Sequence, residues 1–213
     1  MLAPEPGLEN DETDTAAPLP LILMGSSFGT LVALHTVLAE QHEFAGVVLV
    51  GPAISVEWRP ILRLQALVVR PLSALAPTLR VVQAVKTELL CRDPAFLDDY
   101  ENDPLTVQEN LPLRMGDLAL RASVALQREP RFADPKSAAC RVPALFLMGS
   151  ADRVTSLAVA VEFFDKLRSR DKHFKIFDGM FHALFDEPEK DDVFEFLLQW
   201  LEARFPPRTS GKQ

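Results

Sequence analysis

In residues 21–30, LILMGSSFGT, an apolar run ends in two serines placed between Gly25 and Gly29. The apolar run predicts a buried strand. The pattern G-x-S-x-G directly after it is typical of a strand that turns sharply into a helix. Side chains at the two flanking positions of such a turn are expected to clash, which would explain both glycines. The stretch therefore predicts that Ser27 is presented at the tip of a tight strand-to-helix turn.

Strands and helices alternate on either side of this turn. Apolar residues at helical spacing follow over 28–40, and GVVLVGPA at 46–53 predicts a second buried strand. After an interruption the alternation resumes with a helix, a strand, a helix, a strand and a helix at residues 114–127, 142–150, 157–169, 173–179 and 192–205. Such alternation predicts an α/β fold with a parallel sheet and helices on both of its faces.

The interruption, residues 55–113, is apolar, repeatedly broken by proline and without an obvious strand. We interpret it as a helical cap inserted between two parts of one core, residues 20–54 and 114–206. The acidic opening, residues 1–19, predicts a disordered leader because its hydrophobicity is low, and residues 207–213 predict a frayed tail.

Composition and charge exclude several classes of protein. The chain has 213 residues with 22 basic and 30 acidic side chains, and its net charge of −8 argues against nonspecific binding to nucleic acid. Cys91 and Cys140 lack metal-ligand spacing and are too few for a disulfide framework, so free thiols in a reducing compartment are expected. The sequence shows neither a secretory signal pattern nor an apolar run of about 18 residues. We therefore predict a cytoplasmic protein, or one peripheral to a membrane, without a metal.

Three candidate side chains follow predicted strands at their carboxyl ends, where the functional groups of open α/β sheets gather. Ser27 follows the first strand, Asp152 lies in MGSADRV and His182 lies in DGMFHAL. Serine, acid and histidine in this order along the chain is the order of an α/β-hydrolase triad. A serine hydroxyl becomes a strong nucleophile when an imidazole takes its proton. A carboxylate then fixes the tautomer of that imidazole and stabilises its positive charge.

Each of these residues also has an ordinary explanation. G-x-S-x-G occurs by chance in many proteins, and Asp152 could cap a helix that begins near Arg153. Asp178 also lies at a strand end and competes for the role of the acid, although it is close to His182 in the sequence. The remaining histidines lie on a helix, just after it or at the start of a strand, which does not suit a general base: His35, His42 and His173.

Four motifs closely resemble the monoacylglycerol lipase family of α/β-hydrolases, in the same order and at similar separations: GSSFGT, YENDPL, VPALFLMGSADRV and KIFDGMFHALFDEP. The resemblance covers residues 20–204, including the cap. It implies a serine esterase without a cofactor that acts on monoacylglycerols or similar lysolipids. In that enzyme Ser27 would be the nucleophile, His182 the base and Asp152 the acid.

The resemblance also implies roles outside the triad. The backbone N–H of Phe28 would belong to the oxyanion hole, and Tyr100 in YENDPL would lie near the polar head of the substrate. The cap would form a flap that touches a membrane and admits an acyl chain. Alternatively it packs on the core with its arginines extended to solvent, and the two interpretations are compatible. The family usually has other residues where this chain has Ser26, Phe28 and Thr30.

The main departure from the family concerns the front half of the sheet. Family members carry there a His-Gly loop that supplies a second oxyanion donor, and no His-Gly pair precedes Ser27 here. Loss of one donor typically lowers turnover about 10²–10³-fold. The first strand would then be an exposed apolar edge that favours self-association. Two hypotheses follow: a serine hydrolase with an acyl-enzyme intermediate, or a truncated, catalytically weak relative that binds a lipid or a partner protein.

Overall fold

The computed structural model describes residues 19–54, 60–82, 85–107 and 109–206. The predicted tail and all but the last residue of the predicted leader lie outside these residues. Within them, strands β1 to β6 lie at Ile22–Ser26, Gly46–Val50, Arg80–Val82, Leu111–Pro112, Ala144–Gly149 and Lys172–Phe177. Helices α1 to α7 lie at Phe28–Ala39, Pro60–Leu75, Pro94–Asn102, Leu113–Arg128, Ala138–Arg141, Leu157–Lys166 and Lys190–Glu202.

Four strands form a parallel sheet in the order β1-β2-β5-β6. The two central strands, β2 and β5, are apolar and buried along their whole length, as expected of strands that are covered on both faces. Leu34 of α1 and Phe163 of α6 belong to the core on one face. Val193 and Trp200 of α7 belong to the core on the other. The predicted α/β class, with a parallel sheet and helices on both faces, is confirmed.

The segment between β2 and α4 differs from its prediction. Residues 55–113 were expected to be helical without a strand, and this expectation is wrong, because β3 and β4 pair as an antiparallel ribbon. The two strands are three and two residues long, too short to leave an alternating apolar pattern in the sequence. Helices α2 and α3 account for much of the remainder. The hydroxyl of Ser73 in α2 donates to Asp117 in α4 over 3.1 Å, which ties the segment to the following helix.

Strand β1 lies at one edge of the parallel sheet, and among the described residues no strand pairs with its outer side. Next to or within it, Leu21 and Met24 are 52% and 47% exposed. The exposed apolar edge expected from the sequence is therefore present in the described part of the chain, while self-association through it stays a prediction. No helix among these residues has both the length and the apolar character needed to cross a bilayer.

Candidate active site

Ser27 forms the turn between β1 and α1, with a backbone φ of 50° and ψ of −123°. This conformation is strained for a residue with a side chain and persists only where neighbouring structure holds it. Two hydrogen bonds do so here. The Ser27 N–H donates to the carbonyl of Val50 over 2.8 Å, and the Thr30 hydroxyl donates to the carbonyl of Ser27 over 2.6 Å. The turn is thus held to the end of β2 and to the first turn of α1.

Of the two glycines that flank this turn, steric contact requires one. A Cβ atom at Gly25 would lie 2.5 Å from the carbonyl oxygen of Gly29, which real side chains do not tolerate. A Cβ atom at Gly29 would meet no described atom within 4 Å, so the expectation of a clash at this position is wrong. The backbone of Gly29 lies so close to Gly25 that residue 25 has no room for a side chain.

His182 and Asp152 converge on Ser27. The Nε2 atom of His182 lies 2.8 Å from Ser27 Oγ, and its Nδ1 atom lies 2.8 Å from Asp152 Oδ2. The Asp152 side chain is fully buried and that of His182 is 6% exposed. Asp178, the competing acid, is exposed and instead accepts a hydrogen bond from Ser150 Oγ over 3.0 Å. The three side chains can pass a proton from hydroxyl to imidazole while a carboxylate holds the other ring nitrogen.

The surroundings of Asp152 favour its ionised form. Its Oδ1 accepts the N–H groups of Val154 and Thr155 over 2.7 Å and 3.0 Å, and its Oδ2 accepts the Thr155 hydroxyl over 2.8 Å. Burial acts to raise the pKa of this carboxyl. The hydrogen bond and charge of His182, together with the Thr155 bonds, outweigh burial and leave the pKa below its usual value. Helix α6 is capped by Ser156, so Asp152 does not serve as its cap.

Two glycines let residues 180–182 lie against the sheet. At Gly51, directly after β2, φ is 51°, and an added Cβ would lie 2.9 Å from His182 Cε1. At Gly149, the last residue of β5, an added Cβ would lie 2.2 Å from the carbonyl oxygen of Met180. Neither requirement was predicted from the sequence. The available signal was a glycine at the end of each central strand, in VVLVG and LFLMG.

Thr30 is a second feature that the sequence analysis missed, because it appeared there only as a departure from the family. Its side chain is fully buried. In addition to donating to Ser27, its hydroxyl accepts the N–H of Ala53 over 2.9 Å. Thr30 therefore joins the serine turn to the segment after β2.

The two other predicted site residues have different surroundings. Phe28 is the first residue of α1, and the first N–H groups of a helix have no intrahelical acceptor. Tyr100 lies on α3, where its ring stacks on Phe96 with centroids 6.0 Å apart. The contacts of the described residues do not include one between Tyr100 and the three converging side chains. Both assigned roles stay predictions.

The described residues contain no group of three His, Cys, Asp or Glu side chains arranged to hold a metal ion. Cys91 and Cys140 are buried and unpaired.

Comparison with known proteins finds hydrolases among the relatives of this chain. Residues 9–189 match the model of the family described as "Serine aminopeptidase, S33". Human monoglyceride lipase is 31% identical over 188 residues, which are 87% of this chain and 59% of that protein. The phospholipase YtpA of Bacillus subtilis is 25% identical over 178 residues, 83% of this chain and 66% of that protein. The chain thus spans about three fifths to two thirds of the length of these curated relatives.

Solved structures agree on the fold. A soluble variant of monoglyceride lipase from Saccharomyces cerevisiae, in complex with a substrate analog, superposes with a TM-score of 0.75 at 22% identity. The match covers 88% of this chain and 63% of that one. The monoacylglycerol lipase of Paleococcus ferrophilus superposes with a TM-score of 0.73 at 23% identity, covering 87% of this chain and 69% of that one.

Proposed function

The chain belongs to the hydrolase family described as serine aminopeptidase S33, and on this basis we propose that it cleaves carboxylic esters of monoacylglycerols or similar lysolipids through an acyl-enzyme. The observation that carries the proposal is the hydrogen-bonded series from Ser27 through His182 to Asp152. The monoglyceride lipases among its relatives support the substrate class.

The proposed mechanism uses these three side chains in turn. Ser27 Oγ attacks the ester carbonyl carbon while its proton passes to Nε2 of His182. Asp152 accepts a hydrogen bond from the Nδ1–H of His182 and stabilises the imidazolium that forms. The imidazolium then protonates the departing alcohol oxygen, and the C–O bond of the ester breaks to leave an acyl group on Ser27. His182 next takes a proton from water as the water oxygen attacks the acyl carbonyl carbon. The imidazolium then returns a proton to Ser27 Oγ as the bond from Oγ to the acyl carbon breaks, which releases the fatty acid.

The backbone N–H of Phe28 is the proposed oxyanion donor. It directly follows Ser27 at the beginning of α1, where the helix dipole adds positive potential. A donor at this position is worth about 10²–10³-fold in turnover. Tyr100 is proposed to contact the polar head of the substrate, on the strength of the YENDPL motif alone.

The cap is proposed to contact a membrane surface. In the described side chains of α2, Val68 and Leu75 are more than half exposed, and Leu72 is also exposed. Such residues bury apolar area when they enter the interfacial region of a bilayer. The proposed setting is the cytoplasmic face of a membrane, where insoluble acyl esters are held.

A second candidate function is binding without efficient turnover, and the open edge at β1 favours it. An edge strand with exposed apolar neighbours such as Leu21 can pair with a strand of another chain or bind the acyl chain of a lipid. This candidate predicts retention of a ligand or partner by a chain that shows little catalysis.

Fatty-acid release from a monoacylglycerol tests the two candidates. We expect the native chain to release fatty acid from 1-monooleoylglycerol, and we expect Ser27→Ala to release none above the uncatalysed rate. A lysophosphatidylcholine with the same acyl chain separates preference for glycerol from preference for a phospholipid head. Equal release by the native chain and by Ser27→Ala, with both folded by circular dichroism, would reject the hydrolase. Titration with a fluorescent fatty-acid analogue would then test binding.

A further inference from the structure

The loop that carries His182 is bonded to a segment far away in the sequence. We call residues 181–187 the histidine loop and residues 90–93 the clamp segment. The carbonyl of Leu90 accepts the N–H of Ala183 over 2.7 Å, and the thiol of Cys91 donates to the carbonyl of Asp186 over 3.1 Å. The clamp segment directly precedes α3, within the region predicted to be the cap.

A fully buried carboxylate lies at the centre of this contact. Glu187 Oε1 accepts the N–H of Phe181 and the N–H of Arg92, each over 3.1 Å. Its Oε2 accepts the Nε–H of Arg92 over 2.5 Å. The Arg92 guanidinium also pairs with Glu189 at the surface. The Glu187 carboxylate raises the pKa of Arg92 above its usual range.

These bonds bracket the histidine. Phe181, immediately before His182, is held by Glu187, and Ala183, immediately after it, is held by Leu90. A buried charge is tolerated only where its hydrogen bonds are satisfied, so Glu187 is tightly constrained in position. Any movement of this carboxylate shifts the backbone on the amino side of His182.

We propose that Glu187 is a positioning residue that, together with Arg92, holds His182 in line between Ser27 and Asp152. This inference rests on the proposed function of the same site. It also implies that the clamp segment, and with it the beginning of α3, is mechanically joined to the general base. A shift of about 1 Å at a catalytic group can lower turnover by about 10²-fold.

A similar ion pair far from the site provides a matched control. Asp171 pairs with Arg204. The Nε–H of Arg204 donates to Asp171 Oδ2 over 2.9 Å, and its Nη2 donates to Oδ1. Asp171 directly precedes β6, at the amino end of the parallel sheet. Loss of this pair removes carboxylate–guanidinium bonds of the same kind at the amino end of the sheet, where the Asp171 side chain is 40% exposed while that of Glu187 is fully buried.

The experiment compares Glu187→Gln with Asp171→Asn at equal concentrations of folded protein. For Glu187→Gln we expect kcat on a monoacylglycerol, and the rate constant for labelling by a fluorophosphonate, to fall at least tenfold. KM should change less than twofold, because the contacts that bind the substrate are kept. For Asp171→Asn all three quantities should stay within twofold of the native values.

Arg92 variants cover the case in which Glu187→Gln does not fold, since the Arg92 side chain is 32% exposed. Arg92→Met should lower kcat and labelling as Glu187→Gln does. Arg92→Lys should recover part of both, because lysine keeps the charge but not the paired donors. The control for this series is Arg204→Met. Rates that match those of the control variants would overturn the positioning role, and so would a loss in which KM changes as much as kcat.

Proton NMR separates failure of this inference from failure of the proposed function. A native chain that shows neither turnover nor labelling refutes the hydrolase, but the imidazole N–H of His182 bonded to Asp152 should still give a strongly downfield signal. We expect this signal in the native chain and in Asp171→Asn, and we expect its loss in Glu187→Gln and Arg92→Met. A downfield signal that persists unchanged in the clamp variants contradicts the inference.

Discussion

Gly51→Ala is the most informative single perturbation of the site, because it displaces the ring of His182 without replacing any of the three converging side chains. Its Cβ would lie 2.9 Å from His182 Cε1 and 3.0 Å from Nδ1. Two carbon atoms prefer about 3.5–4.0 Å, so the ring has to move by about 0.6–1 Å. A shift of this size stretches the 2.8 Å distance from Nε2 to Ser27 Oγ beyond a good hydrogen bond.

Backbone strain has to be separated from displacement of the ring, and the chain offers the control. Gly179 also has a positive φ, 71°, but a Cβ added there would meet no described atom within 4 Å. Alanine at positive φ costs about 1–2 kcal/mol at either position. We therefore expect both variants to lose about this much stability, and only Gly51→Ala to lose about 10–100-fold in turnover.

The assay is steady-state hydrolysis of a short-chain nitrophenyl ester, with thermal unfolding measured on the same samples. Gly179→Ala should keep turnover within twofold of the native chain. Native turnover in folded Gly51→Ala would show that the ring is not held against residue 51. An equal loss in both variants would show that strain, and not displacement, controls the site.

Three further predictions follow from individual contacts. Asp152→Asn should lower turnover by about 10⁴-fold, measured by ester hydrolysis, because an amide does not hold the imidazole in its required tautomer. The pKa of Asp152 in the folded chain lies below its ordinary 3.8. The stability that this carboxylate contributes is therefore complete above the pKa of the unfolded chain, and it is lost as pH falls through the lower pKa of the folded chain. Thermal unfolding between pH 5 and about pH 2 should show a larger loss in the native chain than in Asp152→Asn, where the lowered pKa values of Glu129 and Asp171 still contribute. Thr30→Val should lower the unfolding free energy in urea by about 1–3 kcal/mol, because the N–H of Ala53 loses its acceptor. Thr36→Val, on the exposed side of α1, should change it by less than about 0.5 kcal/mol.

The parallel sheet and the convergence of Ser27, Asp152 and His182 could be predicted because each depends on a local pattern. Apolar runs mark the strands, and the carboxyl ends of parallel strands meet at one edge of a sheet. The chain order of the three residues then limits the arrangement further. Their catalytic roles stay a prediction until they are tested by mutation.

The remaining features depend on contacts between distant parts of the chain. Glu187 and Arg92 are 95 residues apart, and neither carries a local signal that it will meet the other. The same holds for the ribbon of β3 and β4, whose pairing is decided by tertiary contacts. The prediction of a clash at Gly29 was wrong. The G-x-S-x-G pattern indicates that β1 and α1 approach closely, but it does not tell at which glycine an added Cβ atom would collide.

Peptide mapping after reaction with a fluorophosphonate shows whether Ser27 is an activated nucleophile. An activated serine forms a covalent phosphonyl adduct, whereas an ordinary surface serine does not. Activation of Ser27 by His182 predicts one adduct, on Ser27 and not on the adjacent Ser26, that disappears in Ser27→Ala and is strongly reduced when His182 is replaced. A folded chain that forms no adduct, or an adduct that survives in Ser27→Ala, would contradict it.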